Sequence, residues 1–115
     1  ITDANRFAKL NNIENAKFYA GNILPFMHQF EQDDFVPDVV IVDPPRKGLD
    51  DVTIETIIKL NPERLVYISC NPATLARDLV IFDQKGYEVK KIQPVDMFPN
   101  TYHIETVVLM SKPNI

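Results

Sequence analysis

The chain has 115 residues, 45% hydrophobic and 24% charged, with a formal net charge of −4, which suits one domain around one core and excludes a disordered chain. Such a charge carries no bulk attraction for phosphate, so extensive RNA contact would have to lie elsewhere. One cysteine excludes an internal disulfide, no Cys/His cluster has metal-site spacing, and no stretch reads as a membrane span or signal peptide, so a cytoplasmic setting is expected.

The chain opens on Ile1-Thr2-Asp3 without a methionine and enters a helical pattern at once, so it reads as a fragment, a single domain over 1–115. Thr2 or Asp3 can cap a helix with Ala4, Phe7, Ala8 and Leu10 on its buried side, ending near Asn11-Asn12. Ala16 to Ala20 predicts a short strand closed by Gly21-Asn22, and Ile23 to Phe30 a weak helix interrupted by Pro25. After a polar loop over 31–37, the β-branched run Asp38 to Asp43 predicts a strand buried on both faces, as in a parallel sheet. Pro44 to Leu49 is a loop, and a helix from about Asp51 to Leu60 buries Ile54, Ile57 and Ile58.

Arg64 to Ser69 predicts a second buried strand that runs into a helix from Ala73 to Lys85, with Leu75, Leu79 and Phe82 inside and Gly86 as its stop. Asn71 stands at the N-cap and Pro72 at the first helical position, which leaves Cys70 at the junction. A thiol beside a helix N-terminus feels the positive end of the backbone dipole, which favours thiolate. Tyr87 to Val95 reads as a strand, Asp96 to Tyr102 as a loop and His103 to Ser111 as the last strand. The order is α/β, and the last two strands, with no helix between them, must be antiparallel.

Ligands of open α/β sheets bind beyond the carboxyl ends of the parallel strands. Asp43 ends one such strand, Cys70 ends the next, and Glu105 lies near the start of the reversed last strand, so all three reach one rim. Arg46-Lys47 adds positive charge on the intervening loop, and Arg77 with Asp78 a possible ion-paired wall. Each also has a plain structural reading: a packed thiol, a turn aspartate, a solvated glutamate, surface charges.

Asp43-Pro44-Pro45-Arg46-Lys47-Gly48, Ser69-Cys70-Asn71-Pro72-Ala73-Thr74-Leu75-Ala76-Arg77-Asp78, and Asp96-Met97-Phe98-Pro99 with His103-Ile104-Glu105-Thr106-Val107 together resemble the RNA uracil-5-methyltransferases, which make 5-methyluridine in tRNA or 23S ribosomal RNA. The resemblance implies the C-terminal part of a class I S-adenosylmethionine-dependent (Rossmann-like) domain. Its sheet would be mostly parallel with an antiparallel last strand, and its first two strands would be missing. It implies Cys70 as nucleophile and Glu105 as proton-removing base. Asp43 would serve cofactor and target base, Asn22 the adenine, and Arg46 and Arg77 the RNA side. No metal is implied.

The family's glycine-rich cofactor motif is absent from the chain, so these residues alone are expected neither to bind S-adenosylmethionine well nor to methylate. Stoichiometric binding at low micromolar concentration in calorimetry would contradict that. An unpaired sheet edge would make homodimerisation a hazard. Two other readings stand beside this one. A non-catalytic fragment or degenerate module would bind only RNA or a partner. An amino-group methyltransferase would carry an aromatic residue after Asp-Pro-Pro, where Arg46 stands, and would have no use for a cysteine nucleophile.

Overall fold

A computed structural model of the chain describes residues 2–21, 23–96 and 104–113. Its elements run α1 (Thr2–Leu10), α2 (Ile23–Gln32), β1 (Val39–Val42), α3 (Asp51–Leu60), β2 (Arg64–Ser69), α4 (Pro72–Gln84), β3 (Glu88–Asp96) and β4 (Ile104–Ser111). The sheet order is β1-β2-β4-β3; β1 pairs parallel with β2, and β4 runs antiparallel to both β2 and β3. Three strands therefore point one way and β4 the other. This is the expected mixed α/β sheet with a reversed last strand.

One side of the sheet is packed. Leu65, Tyr67 and Ser69 of β2 pair with Met110, Val108 and Thr106 of β4, and alternation puts them all on one face. That face meets Ile54, Ile57 and Leu60 of α3 and Leu75 and Phe82 of α4 in a single core with Met27 and Tyr87. Asp50 caps α3 by accepting from the Thr53 amide (2.8 Å), and Asn61 ends it in a left-handed conformation. Pro25 is the third residue of α2, where its missing N–H has no helical partner to lose, so the helix runs through it to Gln32.

Three expectations need correction. Residues 16–20 form no strand and are exposed; no described strand lies beside them, and a strand without a hydrogen-bonded neighbour has nothing to hold it. The strand over β1 is not buried on both faces, since Val39 and Ile41 are 43% and 65% exposed. The packed helices cover the side of Val40 and Val42 only. In α1, Ala8 is buried, but Phe7 and Leu10 are exposed, and the Arg6 guanidinium lies 5.6 Å from the Phe7 ring centroid. Of the loop expected over Asp96 to Tyr102, Asp96 belongs to β3, and residues 97–102, with His103, lie outside the described residues. Among those described, no helix is long and apolar enough to cross a membrane.

Candidate active site at the strand rim

The rim is built by where three strands stop. Ser69, the last residue of β2, pairs with Thr106 of β4, so one further step of the same antiparallel register sets Cys70 opposite Glu105. Directly opposed residues share a face with their β-carbons roughly 5 Å apart. In the parallel pair, Val42 is level with Tyr67, so Asp43 is level with Ile68, two residues short of Cys70. Carried one residue past β1 and past β2, the alternation gives Asp43 and Cys70 the same face as Glu105 within β4, the one opposite the packed helices.

Their environments differ. Cys70 is half-buried and free, and Asp43 is exposed. Glu105 is half-buried, and its Oε2 is fully buried with no hydrogen-bond partner among the described residues. A buried carboxylate oxygen left unpaired is costly, and such groups call for a functional or solvent partner. A cleft of about 600 Å³ opens beside Asp43, lined by Ile23, Leu24, Val42, Pro44 and Pro45 among others.

Local chemistry sets the turn at Cys70. The buried Ser69 hydroxyl accepts from the Asn71 amide (3.0 Å) and donates to the Asn71 carbonyl (2.9 Å), folding the chain tightly around Cys70. Asn71, in extended conformation, caps α4 by accepting from the Ala73 amide (3.0 Å), and Pro72 follows in the first turn.

The first two turns of α4 then grip the loop after β1. Asn71 Nδ2 and Thr74 Oγ1 both donate to the Arg46 carbonyl, at 2.9 and 3.0 Å. Arg77 Nη2 donates to the carbonyls of Lys47 (2.8 Å) and Leu49 (3.1 Å). Asp78 is fully buried; Oδ2 accepts from the Leu49 amide (2.9 Å) and the Tyr67 hydroxyl (2.6 Å), and Oδ1 from Arg77 Nε (3.1 Å). Burial, and next the hydrogen bond to Asp78, raise the Tyr67 hydroxyl well above its ordinary range, so it stays a proton donor.

The side chains expected at the site therefore fall into groups. Asp43, Cys70 and Glu105 gather at one rim. Arg46 is exposed on the loop, and the Arg77 guanidinium is directed at loop carbonyls and Asp78. Asn22 lies outside the described residues. The grip of Asn71, Thr74 and Asp78 on the loop, with the Tyr67 hydroxyl bracing Asp78, was not foreseen. Its signal was the polar spacing 71, 74 and 78, three positions on one helix face beside an apolar strand. Among the described residues, no group of three or more His, Cys, Asp or Glu could hold a metal ion.

The chain is similar to known proteins. The sequence profile of the tRNA (uracil-5-)-methyltransferases matches residues 5–113. An "uncharacterized RNA methyltransferase" of Enterococcus faecalis is 55% identical over 112 residues, 97% of this chain and 24% of its own length. Another of Bacillus cereus is 50% identical over 112 residues, with the same coverage of 97% and 24%. The crystal structure of Pyrococcus abyssi tRNA (uracil-54, C5)-methyltransferase in complex with S-adenosyl-L-homocysteine superposes with a TM-score of 0.73 at 36% identity, over 96% of this chain and 26% of that one. The chain thus spans about a quarter of the length of the relatives it matches.

Proposed function

Because the chain belongs to the tRNA (uracil-5-)-methyltransferase family, we propose that it carries the reacting residues of an enzyme that moves a methyl group from S-adenosylmethionine to C5 of a uridine in tRNA or 23S ribosomal RNA. The observation that supports this best is the register across β2 and β4. It sets the half-buried Cys70 thiol opposite a glutamate whose Oε2 is buried and has no hydrogen-bond partner among the described residues.

Uracil C5 is a poor nucleophile, and the three side chains answer that problem in turn. The Cys70 thiolate adds to C6, and the electron pair of the C5–C6 double bond shifts toward C5 and the C4 carbonyl. When bound, S-adenosylmethionine supplies an electrophilic methyl group to C5. A Glu105 carboxylate oxygen then takes the C5 proton, the C–H electron pair re-forms the double bond, and the sulfur leaves as thiolate. The uridine must leave its stack to reach Cys70. Asp43 is the acceptor for polar edges of base and cofactor. Arg46 lies on the RNA side, and Arg77, first expected there too, acts on the site through the loop carbonyls and Asp78 that it holds.

The cleft beside Asp43 suits part of an adenosyl group, with apolar walls from Ile23, Leu24 and Pro44 and with Asp43 and Asp50 also in its lining. Asn22, adjacent to Ile23, would face the adenine. The chain's three glycines, Gly21, Gly48 and Gly86, are isolated and cannot form a phosphate- or cofactor-cradling turn. High affinity for the cofactor therefore belongs to the longer protein. The free edge of β1 is a route to a homodimer of the chain alone.

RNA carrying 5-fluorouridine tests the reading. Fluorine cannot leave as a proton, so the adduct with the enzyme accumulates once methyl transfer has occurred. Methylation of a different atom, with no adduct, overturns it.

A further inference from the structure

Four side chains at the start of α4, those of Asn71, Thr74, Arg77 and Asp78, hold the loop after β1, and none of them has a role in the bond-making steps above. Four backbone groups of the loop are held: the Arg46 carbonyl by Asn71 and Thr74, the Lys47 and Leu49 carbonyls by Arg77, and the Leu49 amide by Asp78. The approach is so close that a β-carbon on Gly48 would lie 2.6 Å from Arg77 Nη2 and 2.7 Å from Asp78 Oδ2. Gly48 also has φ +78°, a conformation that favours glycine. The grip is anchored below, since Asp78 is fully buried and its Oδ2 also receives the Tyr67 hydroxyl from the middle of β2.

A buried carboxylate with three donors, one of them a guanidinium, is far more specified than a turn needs, because leaving any partner out strands a charge in the interior. What it fixes is a distance. The loop starts at Asp43, and α4 starts at Cys70. We propose that Asp78 and Arg77, braced by Tyr67, are positioning residues: they lock the loop onto α4 so that Asp43 holds the target uridine at attack distance from Cys70. This rests on the function proposed above, with Cys70 as nucleophile and Asp43 at the base. A misplacement of about 1 Å at a reacting centre can cost on the order of a hundredfold in rate.

The test uses the full-length protein, with Arg77→Lys as the main variant and Asp78→Asn as the second. Lysine keeps the charge but loses the fork that reaches two carbonyls and a carboxylate together. The expected result for Arg77→Lys is a fall of roughly 10- to 100-fold in kcat and in the rate of 5-fluorouridine adduct formation. KM for RNA should stay within about threefold, and alkylation of Cys70 by iodoacetamide and the melting temperature should stay near those of the unaltered protein. The double variant with Asp43→Ala should be little worse than Asp43→Ala alone, because Arg77 acts through that loop. Asp78→Asn should show the same pattern of non-additivity at lower stability. An unaltered adduct rate in Arg77→Lys, or losses that multiply fully with Asp43→Ala, overturns the proposal. If the unaltered protein forms no adduct at all, the underlying reading falls and this one with it.

Discussion

Tyr67 shows how one hydroxyl serves both stability and the site. It is fully buried and donates to Asp78, and burial together with that bond holds its proton beyond the ordinary value of 10.0. Below that ordinary value the tyrosine is protonated in folded and unfolded chains, so its contribution is fully present. As pH rises above it, the unfolded chain ionises while the folded one does not, and stability falls. Tyr67→Phe leaves the buried Asp78 one donor short, at a cost of about 1–3 kcal/mol at neutral pH. The variant lacks the alkaline loss, so its deficit against the unaltered protein should shrink between about pH 8 and about pH 11 in urea unfolding. A deficit that stays constant or widens contradicts this account of Tyr67.

At the scale of elements, the strand-to-helix turn was the most legible part of the sequence. Asn71 at the cap and Pro72 in the first turn are local signals, and both hold in the structure. The run Arg64 to Ser69 likewise forms β2 over those residues. What stayed hidden was the use of the helix's polar face. Arg77 and Asp78 read as surface charges because hydropathy cannot show a charged residue buried against a loop thirty positions earlier. Gly48 was equally opaque, since its φ of +78° is set by the loop's approach to α4. Gly48→Ala should therefore destabilise the protein by roughly 2 kcal/mol or more, from backbone strain plus a disturbed grip. Thermal or urea unfolding checks this, and a change within about 0.5 kcal/mol would show that the loop is not held as described.

Over the whole molecule, topology explains both what was legible and what was not. The reversed last strand followed from a connection too short for a crossover, and it is what brings Glu105 to the rim of Cys70. The expected strand over 16–20 failed because no described strand lies beside it, and the double-sided burial of β1 failed because the described residues supply helices to one face of the sheet only. Val39 and Ile41 remain exposed as a result, and β1 has one unpaired edge. The 115-residue chain should accordingly give a dimer mass in light scattering at high concentration, where a monomer mass would contradict association through that edge.

The account turns on whether Cys70 forms a bond to the uridine. The full-length protein, mixed with S-adenosylmethionine and RNA containing 5-fluorouridine, should yield a protein–RNA species stable to denaturation. Protease digestion and mass spectrometry should place the nucleotide, carrying one added methyl group, on the peptide that holds Cys70. Methylated RNA with no attached peptide, or attachment to any other residue, would contradict it.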